Sequence, residues 1–207
     1  MLTARFSEAL VFTANLHRGQ VRKGPKCVPY IGHLLSVAGM VIDFGGTEDE
    51  AIAALLHDAV EDQGGHETRE IICRMFGFAV AEIVDSCSDT DQDPKPPWKD
   101  RKQKYVAHLR TATASALLVS AADKLVNARS LLADLHQDGD AVWARFTATP
   151  EQLLWYYRAV VDTLRQSLAN EQLVEELTLA VMEVERQLAR YATRVTAQGN
   201  NDSFPLT

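Results

Sequence analysis

Cysteine is scarce in this chain: Cys27, Cys73 and Cys87 are the only three among 207 residues, and none forms a Cys-x-x-Cys pair. An odd, scattered set argues against a disulfide framework or a zinc knuckle and fits a reducing cytoplasm. No apolar run approaches the length of a membrane span, so no membrane partner is expected. The N-terminus lacks a basic segment followed by an apolar core and a small-residue cleavage site, so no secretory signal is expected either. Strand-like alternation, internal repeats, a P-loop and a Gly-x-Gly-x-x-Gly turn are all missing, which removes the common sheet-based nucleotide folds. Positive charge is in deficit, with 21 Lys and Arg against 28 Asp and Glu and a net charge of −7. That balance argues against a nucleic-acid polymer as partner. A small anionic ligand stays compatible with it where basic residues cluster locally. Hydrophobic residues at 46% and charged residues at 24% describe an ordinary globular chain.

What the chain does have is helix. From Ala51 the sequence runs Ala-Ile-Ala-Ala-Leu-Leu into His57-Asp58, then Ala-Val and Glu61-Asp62. Ala and Leu are strong helix formers, and a segment apolar on all sides is a buried one. The expectation is one helix from about Ala51 to Asp62, stopped by Gly64-Gly65. Residues three and four apart share a face, so His57 would lie over Glu61, and Asp58 over both Glu61 and Asp62. Three carboxylates and an imidazole on adjoining faces of a buried segment call for a cation, and a divalent metal is the economical one. Solvated acids at a helix end are the plain alternative.

Other helices follow from the 3.6-residue period. They cover about Leu2 to Leu16, Leu34 to Phe44, Thr68 to Phe76, Ala79 to Ser86, a basic helix from Trp98, Ser115 to Leu132, Gln152 to Leu168 and Leu173 to Thr193. In the second, Leu34, Leu35, Val37, Ala38, Val41 and Ile42 are read as core. Thr47 with Glu50 is a capping box for the His57-Asp58 helix, and Pro150 suits a first helical position. The expected architecture is all-α: one domain over residues 1–195, followed by a disordered polar tail over 196–207.

Three further features stand out. The Gly- and Pro-containing loop from His17 to Lys26 holds Arg18, Arg22, Lys23 and Lys26 with no acid among them. Such a loop suits phosphates, which Arg grips with a planar fork and Lys with a point charge. Asp123 and Asn127 lie four apart on one face of the apolar Ser115–Leu132 helix, and a single Asp there calls for a partner. Lys124 and Arg129 are read as projecting elsewhere, and most charges of the Trp98–Lys104 helix as surface. Trp155, Tyr156 and Tyr157 at helical spacing read as core, with a Tyr hydroxyl able to reach a site.

The order His33, His57-Asp58, Asp123 resembles the HD-domain metal-dependent phosphohydrolases. The likeness is closer than that. Arg22-Lys23 before Pro29-Tyr30-Ile31-x-His33, then Leu55-Leu56-His57-Asp58-x-Val60-Glu61-Asp62, then Ala122-Asp123-Lys124-Leu125-x-Asn127-x-Arg129 resemble the hydrolase domain of the RelA/SpoT family, and within it the free-standing small alarmone hydrolases. The likeness spans about Phe6 to Leu168. It implies a single helical HD bundle with a metal site between helices, a hydrolase without a synthetase domain, and removal of the 3′-pyrophosphate of ppGpp or pppGpp. It implies His33, His57, Asp58 and Asp123 as metal ligands, with manganese as the usual ion. It implies Glu61 and Asp62 as the catalytic acidic pair, and Arg22, Lys23 and Asn127 as substrate contacts. Arg145 and Tyr156 or Tyr157 match substrate-contacting positions more loosely. Leu34 departs from a Pro common in the family, and Cys87-Ser88 from a Thr-containing sequence; neither touches the implied metal ligands. Adenine alarmones, the 2′-phosphate of NADPH and other nucleoside phosphates stay open as substrates, as do a nucleotide-sensing module without catalysis and homo-oligomerisation.

Overall fold

The computed structural model describes residues 1–90 and 94–201, the side chains of 195–201 excepted. The helices are α1 Ala4–Leu16, α2 Ile31–Asp43, α3 Glu48–Leu56, α4 Ala59–Asp62, α5 Gly65–Phe76, α6 Phe78–Cys87, α7 Trp98–Leu109, α8 Ala114–Asp138, α9 Pro150–Ser167 and α10 Glu171–Asn201, with a 3-10 segment Gly139–Arg145 before α9. No strand occurs among the described residues; an isolated antiparallel bridge joins Val21 and Pro29. No helix of the described residues is long and apolar enough to cross a membrane. The all-α expectation holds.

The sequence explains the helix starts. Thr47 and Glu50 close the expected capping box on α3, and Thr149 with Gln152 closes another on α9, with Pro150 in the first turn. Thr113 caps α8 through its hydroxyl. Gly46 is needed just ahead of α3, because a Cβ there would lie 2.5 Å from a Val41 methyl and 2.8 Å from the Val41 carbonyl oxygen.

Ala51 to Leu56 are wholly inaccessible, and α3 packs against α1, α2, α6 and α8. Burying Ile52, Leu55 and Leu56 contributes ~1.5–3 kcal/mol each. This central helix with α2 and α8 is the frame on which the site is built.

Several expectations need correction. The Ala51–Asp62 segment is not one helix. It breaks at His57-Asp58, where Asp58 takes φ −99° and ψ 0°, and α4 restarts one residue later. Successive residues on an intact helix diverge by about 100°, and the break lets both side chains reach one centre. Leu35 and Ile42 are on the solvent side of α2, at 46% and 37% exposure, because only one stripe of that helix meets the bundle. Trp155 is partly exposed, whereas Tyr156 and Tyr157 are buried. Helix α8 runs on to Asp138, six residues past the expected end. Helix α10 continues to Asn201, past residue 195 where the domain was expected to end; residues 202–207 of the expected tail lie outside the described residues.

Candidate metal centre and cleft

Three helices meet at the centre. Helix α2 supplies His33, the break after α3 supplies His57 and Asp58, and the middle of α8 supplies Asp123. Both imidazoles and Asp123 are buried among core residues. His57 Nε2 lies 3.1 Å from Asp58 Oδ2 and 3.6 Å from Asp123 Oδ1, and His33 Nε2 lies 3.7 Å and 3.2 Å from the same atoms. Donors bound to one ion at ~2.0–2.2 Å stand about 3–4 Å apart, which these spacings match.

The tautomer of His57 agrees. Its Nδ1–H donates to the Ala54 carbonyl at 2.8 Å, leaving the Nε2 lone pair aimed at the carboxylates. That Nε2 is buried without a hydrogen-bond partner. His33, His57 and Asp58 offer donor atoms all within 4.8 Å of one another, with Asp123 beside the two imidazoles, a mixed nitrogen–oxygen set that fits a divalent transition metal.

Without an ion, the four groups perturb one another. Burial alone would pull the His57 imidazolium down, but Asp58 and Asp123 hold it well above its ordinary value. Burial would raise the two carboxylates, yet His57 beside Asp58, and Lys124 with the imidazoles beside Asp123, hold both low. Tyr30 donates to Asp58 Oδ2 at 2.5 Å, and burial followed by the Asp58 charge lifts its phenol far above the usual range, so it stays a donor.

Asp62 N–H donates to the Asp58 carbonyl at 3.0 Å, the four-residue spacing expected of them, but the acidic pair lies outside the His33, His57 and Asp58 cluster. Glu61 and Asp62 sit on α4 and are held separately. Lys95 reaches Glu61 Oε1 at 2.8 Å and lies 3.7 Å from Asp62 Oδ1. The Asp89 backbone N–H donates to Glu61 Oε2 at 3.2 Å, and Gln20 donates to Asp62 Oδ2 at 2.8 Å.

Both sets open onto one cleft of about 540 Å³. One wall is the loop between α1 and α2, where Arg22 donates to Asn127 Oδ1 at 3.2 Å and Asn127 in turn donates to Asp123 Oδ1 at 2.5 Å. Asn127 thus links a metal-site carboxylate to the basic loop. Lys23 lines the same wall. A second part of the lining is cationic as well. Lys102 lies 3.0 Å from Asp89 and 5.0 Å over the Tyr156 ring, and Arg101 also binds Asp89. Lys124 binds Asp123 Oδ2 and lies 5.0 Å over the Tyr105 ring. Burial would lower its ammonium, but Asp123 holds it well above its ordinary value. Tyr157 lines the cleft, and Arg145 lies at its edge, gripped by Asp138 at 2.6 Å and Asp134 at 3.3 Å.

The structure therefore places Arg22, Lys23, Asp58, Glu61, Asp62, Asp123, Asn127, Arg145, Tyr156 and Tyr157 along one cleft, with His33 and His57 buried beside Asp58 and Asp123. It corrects two directions. Lys124 does not project elsewhere, whereas Arg129 does and pairs with Glu176. Arg101 and Lys102 turn inward while Lys99 and Lys104 stay exposed. Gln20, Tyr30, Asp89 and Lys95 carry no site role in the sequence reading. Tyr30 stood inside a quoted motif, but Lys95 and Asp89 come from a loop with no helical period to give them a direction.

An all-α bundle with paired His and Asp at the break of a buried helix defines a metal-dependent phosphohydrolase of the HD type, and a model of the HD domain matches residues 9–152. The chain belongs to the HD-domain family, in the branch of the MESH1 3′-pyrophosphohydrolases. It is 42% identical over 126 residues to the guanosine-3′,5′-bis(diphosphate) 3′-pyrophosphohydrolase MESH1 of Xenopus tropicalis, covering 60% of this chain and 68% of that protein. It is 32% identical over 173 residues to the Drosophila melanogaster MESH1, covering 83% and 90%. A solved structure of a metazoan ortholog of SpoT, which hydrolyses ppGpp, superposes with a TM-score of 0.70 at 31% identity, over 90% of this chain and 97% of that one.

Proposed function

We propose that this enzyme removes the 3′-pyrophosphate of ppGpp and pppGpp, with manganese as its ion. The observation that carries the reading is the cleft itself. Asp58 and Asp123, the acidic pair and two groups of cations line about 540 Å³, a size suited to a nucleotide, with His33 and His57 buried beside the two aspartates. The names of the MESH1 relatives support the choice of substrate.

Water oxygen joins the phosphorus next to O3′, the P–O3′ bond breaks, a proton goes to O3′, and pyrophosphate leaves with GDP or GTP as the other product. His33, His57, Asp58 and Asp123 would hold the ion, which when bound neutralises phosphate charge and acidifies water. Glu61 and Asp62 orient the attacking water and take its proton. Arg22 and Lys23 in one part of the lining and Lys102 and Lys124 in another neutralise the diphosphates. Asn127 keeps Arg22 in register with the centre.

The test is anion-exchange analysis of products after incubating the protein and Mn²⁺ with ppGpp, ppApp and NADPH in parallel. GDP and pyrophosphate from ppGpp are expected. Selective turnover of ppApp or NADPH would overturn the substrate, and turnover of none would overturn the reading.

A further inference from the structure

The hydrogen bonds behind the acidic pair point to a positioning residue. We propose that Gln20 sets the orientation of Asp62, and that His17 and Gln63 set the orientation of Gln20. This inference rests on the role given to Asp62 above.

The chain of contacts is short and directional. Gln20 Nε2 donates to Asp62 Oδ2 at 2.8 Å. An ionised carboxylate only accepts, so the amide must present its NH₂ to Asp62, and its oxygen must face the other way. That oxygen meets two partners, Gln63 Nε2 at 2.8 Å and His17 Nδ1 at 2.6 Å. Gln63 donates, and His17 must therefore carry its proton on Nδ1. A flipped amide would set oxygen against carboxylate and NH₂ against the Gln63 amide and the His17 N–H. The network thus admits one orientation of Gln20.

His17 is itself immobilised. It is 2% exposed, its Nε2 has no hydrogen-bond partner, and its ring stacks on Tyr30 with centroids 5.8 Å apart and planes 25° apart. Tyr30 is the donor to Asp58. The backbone closes the loop: Gln20 N–H donates to the His17 carbonyl at 3.0 Å, and Tyr30 N–H to the Gln20 carbonyl at 2.9 Å. One small cluster therefore orders a metal-site carboxylate through Tyr30 and the acidic pair through Gln20. The same loop continues directly into Arg22 and Lys23. Partners of this outer kind typically contribute ~10–100-fold to activity.

The experiment measures kcat and KM for ppGpp, together with metal content and melting temperature, on full-length metal-loaded variants. Q20E keeps the size of the side chain and its acceptor but replaces the donor facing Asp62; Q20L removes both. Each should lower kcat by about 10–100-fold with KM and metal content unchanged. H17F keeps the stack on Tyr30 but loses the donor to Gln20 and should lower kcat; H17N restores a donor and should recover most of the loss. A purely space-filling role predicts Q20E like the wild type and H17N no better than H17F, and either result overturns the proposal. D62N separates the two levels. If D62N is inactive while Q20E and Q20L turn over normally, the inference fails and the reading of the site stands. If the wild type leaves ppGpp intact, or D62N is fully active, the reading fails and this inference falls with it.

Discussion

Replacing Lys124 by Met tests whether the ammonium on Asp123 is a counter-ion for a site designed around a metal. The side chain is 13% exposed, its partner carboxylate 8%, and Met keeps most of the stem's length while deleting the charge that lies over Tyr105. Breaking a buried ion pair by removing one partner costs ~3–5 kcal/mol, because the remaining charge stays uncompensated. In metal-free protein Asp123 keeps only the imidazoles and Asn127. A loss of ~3–5 kcal/mol there lowers the melting temperature by roughly 6–20 °C for a chain of this size. With the ion bound, Asp123 retains a divalent neighbour, and the loss shrinks towards the ~1.5–3 kcal/mol of one charged hydrogen bond. The assay is thermal unfolding of wild type and K124M, each with EDTA and with saturating Mn²⁺. An equal drop in both conditions, or none in EDTA, would refute the reasoning.

Three other outcomes follow from the same geometry. D58A should lose metal retention and turnover together, seen by metal analysis and product assay; activity in metal-free protein would contradict the site. E61Q should lower kcat by ~10²–10⁴-fold, the range for a positioned acid or base, with metal content intact. The metal-free protein should be most stable in mild acid. His57 is held above its ordinary 6.5, so its contribution is full below that value and fades as pH rises through the raised one. Asp58 and Asp123 are held below their ordinary 3.8, so theirs is present above that value and fades as pH falls through the depressed ones. Melts in EDTA should therefore peak between 3.8 and 6.5, and added Mn²⁺ should stabilise more at pH 8 than at pH 6, since binding needs a deprotonated imidazole. A flat profile would count against the coupling.

The helical period, caps and punctuating Gly and Pro made the bundle readable residue by residue, because they act within one or two turns of chain. His33, His57, Asp58 and Asp123 were readable for a related reason. Ionisable groups set into otherwise apolar helices must find partners, and here they recur in the order of a known family. What the chain could not show by itself was direction. Leu35 and Ile42 fit the apolar stripe of α2 but face solvent, because the neighbours that would cover them are on other elements. Lys124 is adjacent to Asp123, and adjacent residues on a helix normally diverge, yet its long stem folds back onto the carboxylate.

The break at His57-Asp58 was equally hidden, since Ala-Leu-Leu-His-Asp-Ala-Val contains no residue that stops a helix. It coincides with the point where α2 and α8 bring His33 and Asp123 close by. Gln20, His17 and Lys95 gain meaning only when the loops before α2 and α7 close over α4. Sequence by itself determined most of the helices and singled out His33, His57, Asp58 and Asp123, through local propensity and the cost of burying charge. Tertiary structure alone decided which cations and amides face the acidic pair, because those contacts join residues tens of positions apart whose side chains follow no local period.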